Sequence, residues 1–209
     1  MSSRRILRID SSARTVGSHS RALADHFQQA WQQHFPQDNF VVRDLAKTPV
    51  PHIVADTITG FYTPAHQLTP DLTQATALSD SLIAELATAE IVIVSAPIYN
   101  FSIPSALKAW IDQIVRIGRT FAYDGKSFTG LLKTKRVYLL TSYGAGGYGA
   151  GGGLAAFDHL TPYLKLLFGF LGVADVRVIP VEATTADAAT VEANMKAALL
   201  AVEREVAAA

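Results

Sequence analysis

Five short apolar strands alternating with five amphipathic helices predict a doubly wound α/β domain, a parallel sheet with helices on both faces. Two further observations support this fold class. The segment Ile91 to Ala96 reads I-V-I-V-S-A, apolar without alternation, as a strand buried on both faces does. The loops after the first, third and fourth strands are rich in small, polar or glycine residues, as ligand-binding loops at a sheet edge are.

Each element has its own signal. Ile6 to Ile9 forms the first strand, ending at Asp10. Leu23, Phe27 and Trp31 recur every four residues among glutamines and predict an amphipathic helix. Phe40 to Val42 begins the second strand. The stretch from Lys47 to Pro70 holds Pro49, Pro51, Pro64 and Pro70 and is too long for a plain connection. It reads as an extension, with Phe61 and Tyr62 near its centre, that reaches over a partner chain. Leu72 to Thr88 is the second helix, with Leu78, Leu82, Ile83 and Leu86 on one face. After the third strand, Ile91 to Ala96, a helix carries Leu107, Trp110, Ile111, Ile114 and Val115, a stripe broad enough for the core and a second surface. Val137 to Leu140 is the fourth strand. Thr161 and Pro162 read as N-cap and first residue of a helix bearing Leu164, Leu167, Phe168 and Leu171. Val176 to Val181 is the fifth strand, and Thr184 and Asp187 resemble a capping box for the last helix.

Composition narrows the function. The 209 residues suit one domain, taken as residues 1–209, and 49% hydrophobic with 17% charged residues is a packed chain. Lys+Arg and Asp+Glu balance at 18 each, which argues against nucleic acid as a main partner. With no cysteine, thiolate chemistry is excluded and any redox step must sit on a cofactor. The N-terminus has no apolar h-region, and no run is long enough to span a bilayer, so a cytoplasmic protein without membrane partners is expected. Six histidines show no metal-ligand spacing, and no metal is expected.

Three loops carry candidate chemistry. The first, S-S-A-R-T-V-G-S-H-S (11–20), is neither a dinucleotide fingerprint nor a Walker loop. It offers hydroxyls at Ser11, Ser12, Ser18 and Ser20, an arginine and a helix N-terminus, which suit one phosphate; Ser18 alternatively serves only as a cap. The second, A-P-I-Y-N-F-S-I-P (96–104), places Tyr99 and Phe101 around Asn100, where a flat ring could stack, or where both aromatics are satellite core. The third runs from Ser142 to Gly153; its distal glycines, 149–153, read as a free surface loop. His159 beside Asp158 is a weak acid–base candidate, read as solvated surface.

The stretch P-I-Y-N-F-S-I-P-S-A-L-K-A-W-I-D (97–112) resembles the FMN-dependent NADH-azoreductases, flavodoxin-like quinone reductases. The likeness extends to R-D-L (43–45), A-L-S-D-S-L-I-A-E-L (77–86), T-F-A-Y (120–123) and T-P-Y-L-K-L-L-F-G-F-L-G (161–172). It implies strand order 2-1-3-4-5, a homodimer with one FMN per subunit, and hydride transfer from NADH or NADPH through FMN to a quinone or azo acceptor. It assigns Ser12, Ser18, His19 and Ser20 to the phosphate, and Ile98, Tyr99, Asn100 and Phe101 to the isoalloxazine. Ser142, Tyr143, Gly144 and Ala145 close the other side, and Phe101 and Tyr123 line the substrate pocket. No catalytic acid is required of the protein, because the cofactor carries the chemistry. The chain departs from the family at Ile98, often methionine, and at Tyr143 and Ala145, often Arg and Gly in S-R-G-G. Alternatives on the same fold are an NADPH-dependent FMN or chromate reductase and a flavodoxin-type electron carrier; a regulator that binds FMN without turnover is a third.

Overall fold

The structure, a computed structural model, describes residues 3–209. Its main sheet consists of β1 (Arg5–Asp10), β2 (Asn39–Asp44), β3 (Ile91–Pro97), β6 (Arg136–Ser142) and β7 (Val176–Val181). All are parallel, in the order β2-β1-β3-β6-β7. Counted along the chain that is 2-1-3-4-5, the expected order. Between them β4 (Phe121–Tyr123) and β5 (Phe128–Gly130) form a separate antiparallel hairpin.

Side-chain alternation sorts the strands between two cores. Leu7, Ile9, Val92, Val94, Val137 and Leu139 face α3 (Pro70–Ala87), α4 (Ser105–Ile114) and α5 (Thr161–Phe170). Ile6, Ile91, Ile93, Tyr138 and Leu140 face α1 (His19–His34) and α6 (Ala188–Ala207). Every residue of β3 is buried, as its unalternated sequence requires. No helix among the described residues is long and apolar enough to cross a membrane.

Several elements depart from the sequence expectation. The extension, expected as a long irregular stretch, contains a helix, α2 (Ala55–Tyr62), one side of which packs on α3. A Cβ on Gly60 would lie 2.5 Å from Thr76 Cγ2 of α3, so glycine allows that close approach. Arg116 sits over the Phe61 ring at 4.8 Å. Tyr62 alone of the aromatic pair is well exposed. Of the α4 stripe, Leu107, Trp110, Ile111 and Ile114 are buried in the core, and Val115, just past the end of the helix, is half-buried against it. The fourth main strand extends to Ser142. Leu160, not Thr161, stands at the N-cap of α5, and Asp158 does the capping: its carboxylate accepts from the amides of Leu160 and Thr161. Asp187, not Thr184, caps α6 by accepting from the Thr190 amide.

The distal glycines lie at the surface as expected, but the loop is closed on itself, with the Gly152 amide donating to the Gly149 carbonyl. Gly147 and Tyr148 donate their amides to Glu182, and Leu154 donates to the Gly147 carbonyl. A Cβ at Gly152 would fall 2.2 Å from that carbonyl oxygen, so the closed turn demands glycine there.

Candidate cofactor site

The carboxyl ends of β1, β3, β6 and β7 meet around a cavity of about 200 Å³. Its walls come from four connections. After β1, Ser12, Arg14, Gly17, Ser18 and His19 line it; after β3, Pro97, Ile98 and Tyr99; after β6, Ser142 and Gly144; after β7, Thr184 and Thr185.

The first wall is a helix opening. Ser18 is the N-cap of α1 and accepts a long hydrogen bond, 3.5 Å, from the Arg21 amide. The amides of His19 and Ser20 begin the helix and have no intrahelical acceptor. Ser12 Oγ accepts from the Arg14 amide at 3.2 Å, and Ser11 is pinned to β3 through the Ser95 carbonyl. Capping and anion binding, alternatives from the sequence, coexist here: one hydroxyl caps while the first amides remain available. Hydroxyls, free amides, Arg14 and His19 converge, and no carboxylate lines the cavity. That donor set fits a phosphate ester.

The second wall is strained. Tyr99 and Ser102 exchange backbone hydrogen bonds of 2.9 and 3.1 Å, which forces a two-residue reversal at Asn100 and Phe101. Both have positive φ, 48° and 71°, as a type I′ reversal requires. Asparagine tolerates this region; phenylalanine there is an outlier, worth on the order of 1–3 kcal/mol of strain. The reversal leaves the Phe101 ring half exposed, 5.5 Å from Phe157. The His159 amide donates to the Phe101 carbonyl and fixes the tip from below.

The third and fourth walls are laced together. Thr184 donates its amide and hydroxyl to the Tyr143 carbonyl, and Thr185 does the same to the Gly144 carbonyl. Tyr143 itself faces away from the cavity. Its side chain is buried, its hydroxyl bonds to Asp158 and Thr161, and its ring stacks on Tyr148 at 4.8 Å. Burial pushes the pKa of that hydroxyl up to about 12, so it stays protonated at neutral pH and donates to Asp158.

Of the sequence-assigned residues, the cavity brings together Ser12, Ser18, His19, Ile98, Tyr99, Ser142 and Gly144. Ser20 is fully buried behind Ser18, its hydroxyl 3.3 Å from the Ser18 hydroxyl. Asn100 and Phe101 form the rim rather than the lining. Ala145 contributes its carbonyl to Ala183, and Tyr123 stands on the β4–β5 hairpin, stacked on Phe128 at 4.6 Å. The sequence reading missed Gly17, Pro97, Thr184 and Thr185 as lining residues. The threonines follow the last strand, so the sheet-edge rule applied to all five strand ends would have found them.

A larger cavity, about 530 Å³, lies on the far side of the same tip, between Ser102, Ile103, Lys108, His159, Pro162, Tyr163 and Leu166. It is the roomier of the two, but its lining is mostly apolar and lacks the converging donors of the sheet edge. The smaller cavity is therefore the candidate cofactor site.

Residues 4–206 match the family model described as a flavodoxin-like fold. An FMN-dependent NADH:quinone oxidoreductase of Xanthobacter autotrophicus is 53% identical over 173 residues, 83% of each chain. Another so named, from Hydrogenovibrio crunogenus, is 41% identical over 193 residues, 92% of this chain and 95% of that one. Among solved structures, an azoreductase from Bacillus anthracis superposes with a TM-score of 0.89 at 24% identity, covering 97% of this chain and 98% of that one. An FMN-dependent NADH-azoreductase of the same species, in complex with FMN, gives 0.83 at 22%, covering 99% and 100%. At those identities the superpositions speak for the fold alone.

Proposed function

The chain belongs to the flavodoxin-like family and, within it, to the FMN-dependent NADH:quinone oxidoreductases, and from that premise we propose that it oxidises NADH and reduces quinones, with azo compounds as further acceptors, on an FMN held at the sheet-edge cavity. The observation that carries the assignment of the site is the donor set at Ser12, Ser18 and the first amides of α1, which suits one phosphate and lacks a dinucleotide fingerprint. FMN, when bound, supplies the two-electron redox chemistry.

The protein's own groups bind and orient. The α1 opening and Arg14 would balance the phosphate charge, with His19 lining the same pocket. Pro97, Ile98 and Tyr99 on one side, and Ser142, Gly144 and Thr185 on the other, confine a flat ring between them. Phe101, held outward by its positive φ, would offer an aromatic surface at the rim to acceptor and nicotinamide alike. One shared face means that NAD⁺ leaves before the acceptor enters. The names of the relatives and the lack of net acidity favour this enzyme over an electron carrier.

The active unit is proposed to be a homodimer in the cytoplasm. The support lies on α5, where Tyr163, Leu166 and Phe170 share a face. Leu166 is 72% exposed, and Phe170 continues the stripe to Phe121 and Phe128 of the hairpin. Leu166 and Phe128, both well exposed, make this face the proposed interface. It would bring Tyr123 of the hairpin toward a partner's acceptor site.

Steady-state rates at varied NADH and quinone test the reading. Parallel double-reciprocal lines are expected. Intersecting lines, or no NADH oxidation by the FMN-loaded protein, would refute it.

A further inference from the structure

The phosphate loop is tethered by very little of its own backbone. Residues 13–17 are exposed, and from Thr15 to Gly17 none makes a hydrogen bond among the described residues. One residue nonetheless touches both ends. The Arg21 amide donates to Ser18 Oγ, and Arg21 Nη2 donates to the Ser12 carbonyl at 2.8 Å. The same guanidinium grips Asp44 with two hydrogen bonds of 2.7 Å, a bidentate fork.

Asp44 closes β2 and is itself fixed, accepting from the Ala46 amide at 3.0 Å and the Lys47 amide at 3.3 Å. Behind it lies a balanced cluster. Arg8 binds Asp10 at 2.8 Å, and Asp10 approaches Arg21 at 3.5 Å. Arg8, Asp10 and Arg21 are buried and Asp44 nearly so; with Asp25 bound to Arg8 at 2.7 Å and Lys47 3.8 Å from Asp44 at the solvent side, the cluster holds three charges of each sign. A buried ion pair adds little net stability over an apolar pair of similar volume. Its geometric product is more informative: a rigid strut from the edge of the sheet to a main-chain carbonyl of the loop.

We propose that Arg21 is a positioning residue for the cofactor phosphate. It holds Ser12 and Ser18 at the spacing the phosphate needs, and Asp44 orients it. Arg21 does not line the cavity, and its charge is matched by Asp44 and Asp10, so it acts through the loop rather than on the ligand. This deepens the FMN reading and rests on it.

The test compares FMN with riboflavin, which has the ring but no phosphate, in fluorescence titrations of the apoprotein. Two variants serve. Arg21→Lys keeps the charge beside Asp44 but loses the planar fork that also reaches Ser12. The double variant Arg21→Gln with Asp44→Asn removes both charges together and leaves neither unpaired. In both, FMN affinity is expected to fall by roughly tenfold or more, the scale of a lost charge-assisted hydrogen bond. Riboflavin affinity should move by no more than about twofold. Equal losses for the two ligands would make Arg21 a general structural residue and overturn the proposal, as would unchanged FMN affinity. Failure of both variants to fold would overturn it as well, because Arg21 would then hold the fold and not the loop. The wild-type protein separates the two readings: if it binds FMN no better than riboflavin, the phosphate site itself is misplaced.

Discussion

The two main walls of the cavity are built in opposite ways. The Ser11 to Ser20 wall is relaxed and anchored: a capped helix, free amides, and a buried ion cluster beneath. The Pro97 to Ser102 wall is strained and projecting, with two consecutive residues at positive φ and an aromatic ring pushed toward solvent. The first suits a group that must be held permanently, the second a surface that different flat molecules visit in turn. On the proposed reading binding energy and acceptor selection fall to different segments, and mutations on the two walls should separate affinity from turnover.

The largest effect is expected on the anchored wall. Ser18→Asp keeps a good N-cap, so the melting temperature should hold. It sets a carboxylate against the phosphate, and like charges across a desolvated contact cost several kcal/mol. FMN dissociation constants should rise by roughly a hundredfold or more, read by fluorescence titration. Unchanged affinity would move the phosphate elsewhere. Ser20 is the poorer position for such a change, because its side chain is fully buried and a carboxylate there would probe packing.

The next effect is on stability against pH. The Arg21 guanidinium holds the Asp44 carboxylate down to about 2, from an ordinary 3.8. A depressed folded-state value stabilises the fold above the unfolded value, and that stability is lost as pH falls toward the folded one. Between about pH 4 and 2 the wild type should lose on the order of 2 kcal/mol from this group. Urea denaturation at stepped pH should show the loss, and Asp44→Asn should remove it from that window.

The strained wall should respond in the reverse sense. Phe101→Gly relieves the backbone and should raise stability by about 1 kcal/mol. It also removes the aromatic rim, so kcat/KM for quinones should fall by about tenfold while FMN affinity stays within a few-fold. Melting and steady-state kinetics on one preparation check both. A variant that loses stability and keeps activity would erase the contrast between the walls.

The smallest effect is expected at Tyr143, which faces α5. Tyr143→Phe gives up its hydroxyl bonds to Asp158 and Thr161 and should cost about 1 kcal/mol. FMN affinity should not change, since neither the ring nor the hydroxyl lines the cavity. A change in affinity without a change in stability would place the ring beside the cofactor after all.

The same alternation that makes the fold legible also explains where the Tyr143 side chain points. Val137 and Leu139 face the α3–α5 layer, so Tyr143, two further odd steps along β6 and its exit, faces it too. Read by parity, Ser142 and not Tyr143 belongs to the cavity side. The main strands are legible because burial on both faces demands apolar runs. Helix α2 is not, because A-D-T-I-T-G-F-Y is short and poor in helix formers and is held by packing against Thr76. The β4–β5 hairpin has only three residues per strand, too few for a period to show. Asn100 marks a reversal by its tolerance of positive φ, but Phe101 at 71° contradicts every local preference and emerges only from the coordinates. Likewise Arg21 on α1 and Asp44 at the end of β2, 23 residues apart, carry no shared motif and meet only in the folded chain.

The most direct measurement is an anaerobic titration of the FMN-loaded protein with NADH, followed by a quinone, at the flavin's visible absorption band. One equivalent of NADH should bleach the band in a single two-electron step, and one equivalent of quinone should restore it. A band that NADH leaves untouched, or that bleaches and does not recover with quinone, would contradict the assignment of this cavity to an NADH:quinone oxidoreductase.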